Sequence, residues 1–170
     1  AIEFLNANEV KNFFFFFEPD PPVLLNENTI LFSGEVGFDI TLNTVLPYIK
    51  EGYTIALDSY GGSNWDATQI HDVIKNFYPE TKISIIGSCF SATNQILLAA
   101  KPENRTATKH SKFLIHNGWV EMAGDHNALR SVANDLEKET QTMINLYVEV
   151  SGKEESEIKA GKIKLTKDKI

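Results

Sequence analysis

Residues 83–100, ISIIGSCFSATNQILLAA, confine the fold more than any other stretch of the chain. An apolar run from Ile83 to Ile86 ends at Gly87, small and polar residues follow, and Ile96 to Ala100 are apolar again. The pattern predicts a buried strand, a tight turn and a helix that drops back beneath the strand. Such a turn can hold a side chain proud of a sheet, at the positive end of a helix. Ser91 stands where that side chain would be, although serine is also a preferred helix cap. Ser88 lies nearer the strand end, which leaves Ser91 the better placed of the two.

Strands and helices alternate around this stretch. Thr29 to Gly34 and Tyr53 to Leu57 read as short strands, the second leading into Asp58-Ser59-Tyr60-Gly61-Gly62. Residues 39–50 have near-helical spacing that Pro47 disturbs and Gly52 closes. Residues 64–77 read as an amphipathic helix with Trp65, Ala67, Ile70, Val73, Ile74 and Phe77 on or near one face. Lys101 to His110 reads as a polar connector, and Phe113 to His116 as a buried strand ending in a histidine. Residues 126–150 carry the strongest helix signal, stopped at Ser151-Gly152. Glu154 to Ala160 is a short helix, and Thr166 caps a final helix start. The five phenylalanines Phe13 to Phe17 have no period and read as a buried or subunit-covered edge strand, since five rings in water would aggregate. The alternation implies an α/β fold with a mostly parallel, buried sheet. In such folds ligands bind beyond the carboxyl ends of the strands. Asp58–Gly62, Gly87–Ser91 and His116 all lie just past such ends.

A chain of 170 residues is expected to form a single domain, with residues 1–28 as an N-terminal segment. The net charge of −7 argues against a nucleic-acid surface. Cys89 has no partner for an internal disulfide and fits a reducing, cytoplasmic setting. No apolar run reaches the length of a membrane span. The start at Ala1 and the stop at Ile170 inside a helix start leave both ends open to further residues.

Amide hydrolysis through a serine needs a base for the hydroxyl proton, donors for the developing oxyanion and a group that orients the base. Ser91 offers the hydroxyl. His116 is the base of choice, because imidazole titrates near neutrality. Gly61-Gly62 presents backbone without Cβ, so its N–H groups can approach a substrate carbonyl. The N–H of Ala92 supplies a second donor. His71, His110 and His126 read as solvated surface residues. The turn is not G-x-S-x-G, which argues against an α/β-hydrolase. No metal-ligand spacing, dinucleotide fingerprint or phosphate loop is present, so no cofactor is expected.

The ordered set DSYGG, IGSCFSATNQILLAA and SKFLIHN resembles the ClpP-type serine peptidases, whose patterns are N-S-P-G-G, I-G-x-A-A-S before L-L-A-A, and M-I-H. The likeness runs from about Thr29 to Ile170. The interval from Gly87 to Leu98 is one residue longer than in housekeeping members, a length closer to the Clp-like proteases of phage head maturation. The resemblance implies a ClpP/crotonase-like fold of stacked ββα units in a spiral. It implies Ser91 as nucleophile, His116 as base, Gly62 and Ala92 as oxyanion donors, and Gly61 as support for the turn. It also implies homo-oligomeric rings or double rings enclosing a chamber, joined by a handle made of helix 126–150 and the strand before it. The substrates would be polypeptides, the setting a bacterial or phage-infected cytoplasm, and the partners an ATP-driven unfoldase or phage capsid proteins.

Three departures stand out. Tyr60 replaces the proline of the glycine turn. Phe90 replaces a small residue beside the nucleophile. Lys162 stands four residues before Thr166, where the family has its triad acid. Glu157 or Asp168 could serve instead, or Lys138 or Lys162 could act as a desolvated base in a Ser–Lys dyad. The alternative is a catalytically weakened or inactive structural or regulatory subunit on the same scaffold. An acyl-CoA enzyme of the crotonase relatives is a third reading, since fold alone does not fix function.

Overall fold

The computed structural model describes residues 18–160; the expected phenylalanine-rich edge strand and the expected final helix start lie outside them. Its centre is a six-stranded sheet. Strand β1 (Val23–Asn26) pairs antiparallel with β2 (Thr29–Ser33). Then β2, β3 (Thr54–Ser59) and β4 (Lys82–Phe90) run parallel to one another. Two short strands, β5 (Arg105–Ala107) and β6 (Lys112–Leu114), share the remaining edge of β4. The first pairs with Ile83–Ile85 and the second with Ser88–Phe90.

The strands follow their apolar residues. In β3 the consecutive Ile55, Ala56 and Leu57 are all buried, as expected of a strand covered on both faces. In β2 Ile30 and Phe32 alternate with half-exposed neighbours. The crossovers are α1 (Leu42–Val45), α2 (Asn64–Phe77) and α3 (Thr93–Ala99). Thr41 opens α1 with a reciprocal capping box, and Pro47 then tightens the chain into a 3₁₀ turn at Leu46–Tyr48. In α2 Ala67, Ile70 and Ile74 are buried against the sheet. Trp65 and Phe77, expected on or near that face, are 70% and 75% exposed because they lie at the two ends of the helix, beyond the sheet.

Strand β4 does not stop at Gly87, as its apolar run suggested; it continues to Phe90. Between the pairs Leu57–Ile85 and Ser59–Cys89 the register slips, so that Asp58 alone faces three residues of β4. The Asp58 carboxylate fills this bulge and accepts a hydrogen bond from the Ser88 N–H at 2.6 Å. A Cβ at Gly87 would lie 2.3 Å from that carboxylate, so any larger residue there would displace it.

Helix α4 (His126–Ser151) runs from an Asp125 cap to Gly152 in the left-handed conformation. At 26 residues it is about 39 Å long. Its C-terminal part is anchored: Tyr147 packs with Leu98 and with Ile158 of α5 (Glu155–Lys159). A polar chain adds a second tie. Thr68 Oγ1 donates to Gln95 Oε1, Gln95 Nε2 to Asn64 Oδ1, and Asn64 Nδ2 to Glu139 Oε2 at 2.9, 3.0 and 3.1 Å. Residues 115–125, between β6 (Lys112–Leu114) and this helix, form no strand.

Two strands escaped the sequence reading. β1 was not foreseen, and β5 lies in what reads as a polar connector. β6 is shorter than expected, and Leu114 is 46% exposed, because the strand has a sheet partner on one side only. Arg105 of β5 is buried, donating from Nε to Ala100 O at 2.7 Å and from Nη2 to Leu98 O at 3.0 Å. These bonds close the carbonyl end of α3. Arg105→Ala is expected to lower stability by roughly 2–3 kcal/mol. The check is a fall in urea midpoint with an unchanged slope.

Candidate active site

The turn after β4 is strained. Ser91 has φ +53°, the only positive φ of a non-glycine residue among those described. A left-handed residue with a Cβ costs about 1–2 kcal/mol and persists only where its surroundings hold it. Here the Ser91 N–H donates to Leu114 O of β6 at 2.8 Å. The helix cap is Ala92, not Ser91, and it makes no side-chain cap bond. The Ser91 hydroxyl is therefore not engaged as a helix cap. All seven residues of α3 are buried, so the turn rests on a helix enclosed on every side.

A second turn meets the first. Ser59 Oγ donates to Gly34 O at 2.6 Å and accepts from the Gly61 N–H at 3.1 Å. This fixes Gly61 and Gly62 at φ +96° and +140°. A Cβ on Gly61 would lie 2.6 Å from Ser91 Cβ, 2.7 Å from Phe90 O and 3.2 Å from Ala92 N. A Cβ on Gly62 would lie 2.1 Å from Val36 O. Both glycines are thus required by close backbone approach as well as by conformation. The N–H groups of Gly62 and Ala92 donate to no described residue.

His116 lies two residues beyond Leu114, the residue bonded to Ser91. Its ring is exposed, and Nδ1 is 2.7 Å from Asn117 O. A carbonyl only accepts, so in the neutral ring Nδ1 carries the proton and Nε2 keeps its lone pair. No hydrogen bond joins His116 to Ser91 Oγ or to a carboxylate among the described residues.

A family model described as Clp protease matches residues 23–170. The chain belongs to the Clp protease family. ATP-dependent Clp protease proteolytic subunit 2 of Frankia casuarinae is 24% identical over 159 residues, 89% of this chain and 72% of that protein. The corresponding proteolytic subunit of Borrelia garinii is 25% identical over 132 residues, 72% of this chain and 67% of that protein. A point mutant of ClpP1 from Listeria monocytogenes superposes with a TM-score of 0.65 at 25% identity, covering 84% of each chain. The fold is the ClpP/crotonase-like one that the motifs implied, and the family is one of proteases. No helix among the described residues is long and apolar enough to cross a membrane.

The residues at which this Clp protease chain departs from the family pattern find varied places. Phe90 packs edge-on against the exposed ring of Tyr60, with centroids 5.4 Å apart. Glu157 lies on α5, 3.8 Å from Lys153. Lys138 lies on α4, 76% exposed and 3.0 Å from Asp135, the environment of a solvated lysine. Lys162 and Asp168 are outside the described residues. His110 and His126 are exposed as expected. His71 is not: it is 7% exposed, with Nδ1 3.0 Å from Asp72 and Nε2 buried without a partner among the described residues. Helical spacing turns it inward beside Ala67 and Ile74.

Asn94 escaped sequence reasoning. Its Nδ2 reaches Cys89 O, Ser91 O and Leu114 O at 3.2, 2.9 and 2.9 Å. The available signal was a polar Asn-Gln pair inside an otherwise apolar, buried run. Its neighbour Cys89 is fully buried, and burial pushes the thiol up to about 12. At mildly alkaline pH Cys89 therefore stays protonated. A disulfide thiol reagent should leave the folded protein unmodified and react once urea is added. Rapid modification of the folded protein would contradict this burial.

Proposed function

We propose that this chain is a ClpP-like serine endopeptidase in which Ser91 is the nucleophile and His116 the base. The observation that carries the reading is the meeting of the two turns. Beside a serine held in a strained conformation lie the N–H groups of Gly62 and Ala92, which have no partner among the described residues. His116 Nε2 takes the Oγ proton as Oγ attacks the scissile carbonyl. The developing oxyanion accepts from the Gly62 and Ala92 N–H groups, with Gly61 allowing the close approach. The imidazolium then returns its proton to the leaving amine, and water releases the acyl group by the same route.

The orientation of His116 sets the expected speed. Its Nδ1–H is held by the Asn117 carbonyl, which imposes the productive tautomer but carries no full charge. In a serine protease triad, loss of the orienting acid costs about 10⁴-fold in kcat, chiefly through the wrong tautomer. A carbonyl acceptor avoids that loss but stabilises the imidazolium less than a carboxylate does. A slow peptidase follows, unless Glu157, Asp168 or a lysine, Lys138 or Lys162, completes the site in the assembled protein. The substrates are unfolded or assembly-bound polypeptides, and the setting is a ring chamber. Helix α4 would form the handle between rings, and an ATP-dependent unfoldase or phage capsid proteins would be the partners.

The competing reading is a weakened or inactive subunit. It is favoured by the same carbonyl-held histidine, together with Lys162 at the family's acid position. A fluorophosphonate probe separates the two. Labelling of the assembled wild type that is lost in Ser91→Ala supports the peptidase, whereas none in either supports the inactive subunit. His116→Ala should cut peptide hydrolysis by on the order of 10³-fold or more. Hydrolysis that survives it moves the base to another residue, Lys138 first.

A further inference from the structure

The geometry points to Asn94 as the positioning residue that sets Ser91 and His116 relative to each other, an inference that rests on the serine-peptidase reading above. Asn94 is 2% exposed, so it acts through its neighbours and touches no substrate. Its carboxamide faces three main-chain carbonyls, on two strands and the turn after β4. Nδ2 is 3.2 Å from Cys89 O in β4, 2.9 Å from Ser91 O in the turn, and 2.9 Å from Leu114 O in β6. Oδ1 lies on the other side, 3.6 Å from Cys89 Sγ. Three acceptors demand the amide nitrogen, so the orientation of the side chain is fixed by its partners.

Each contact bears on the site. Ser91 O accepts from the Asn94 main-chain N–H at 3.1 Å as well as from its side chain, so one residue grips that carbonyl twice. That grip holds the peptide after Ser91, the residue whose φ of +53° needs external support. Leu114 O is likewise used twice, accepting from the Ser91 N–H at 2.8 Å and from Asn94 Nδ2. The carboxamide therefore bolts the nucleophile turn to the end of β6, and His116 follows two residues later. β6 needs the bolt. It is three residues long, no residue of it is buried, and its ladder joins only Ser88–Phe90. Residues 115–125 beyond it form no regular structure. Among the described residues, the hydrogen bond left from the turn to Leu114 without Asn94 is that of the Ser91 N–H.

A buried asparagine can also serve the fold alone, and the test must tell the two roles apart. Asn94→Asp keeps the shape but sets a carboxylate against three carbonyls. Asn94→Ala removes the donors. Both are compared with wild type and with Ser91→Ala, at equal folded and assembled fraction. Expected is a loss in kcat on the order of 100-fold with KM within about twofold, matched by a slower fluorophosphonate reaction. The activity ratio of Asn94→Asp to wild type should rise as pH falls, because a protonated carboxyl regains one O–H donor. A crystal structure of Asn94→Ala should show Ser91 leaving its left-handed φ and Leu114 O parting from the Ser91 N–H. Unchanged kcat in both variants, or an unmoved Ser91 and Leu114 in that crystal, overturns the inference. Should wild type react with the probe no faster than Ser91→Ala, the peptidase reading falls by itself. The crystal comparison then still decides whether Asn94 holds the turn.

Discussion

The arrangement at the carboxyl edge of the sheet depends on one steric fact: at Gly61 there is no room for a side chain. The Ser91 side chain, the Phe90 carbonyl and the Ala92 nitrogen occupy the space that a Cβ would take. That closeness joins the turn after β3 to the turn after β4, two segments far apart in the chain. The N–H groups of Gly62 and Ala92, in these two turns, have no partner among the described residues. Glycine supplies both needs at once, an unhindered approach and a positive φ.

The sheet beneath is built to deliver the second turn to that point. β4 is longer than its apolar run because the Asp58 carboxylate bridges the bulge opposite Gly87 and carries the strand on to Phe90. Two short strands share its edge, the first supporting the core and the second the turn. Under the turn, α3 is buried along its whole length, and Arg105 closes its carbonyl end. The same helix is tied through Gln95, Asn64 and Glu139 to α4, so the long exposed helix and the serine turn share one anchor.

Among the described residues no carboxylate hydrogen-bonds to His116. The imidazole of His116 leans on a backbone carbonyl where a fully developed triad places a carboxylate. A carbonyl dipole fixes the tautomer, whereas a charge would also favour the protonated ring during turnover. Membership of the Clp protease family specifies the scaffold and the class of chemistry; under the proposed mechanism the groups around His116 would set how well it runs.

Much of this was legible in the residues. The apolar runs marked β2, β3 and the start of β4, and the helices at 64–77 and 126–151 matched their periodicity almost to the residue. The three motifs named the family and the edge where a site would lie. β1 and β5 were not legible, because a short strand of ordinary composition exists only through its neighbour's free edge. Nor was the inward turn of His71, which depends on which helix face the sheet covers. The role of Asn94 was hidden for a similar reason, since its partners lie on segments up to twenty positions away. The sequence by itself determined the order of elements, the glycines that permit close backbone contact, and the serine and histidine on offer. Only the tertiary structure decided that Ser91 is left-handed rather than a helix cap, that a carbonyl holds His116, and that one buried amide links them. The reason is physical: local periodicity encodes which faces shed water, whereas the placement of polar groups depends on long-range backbone partners that no local pattern records.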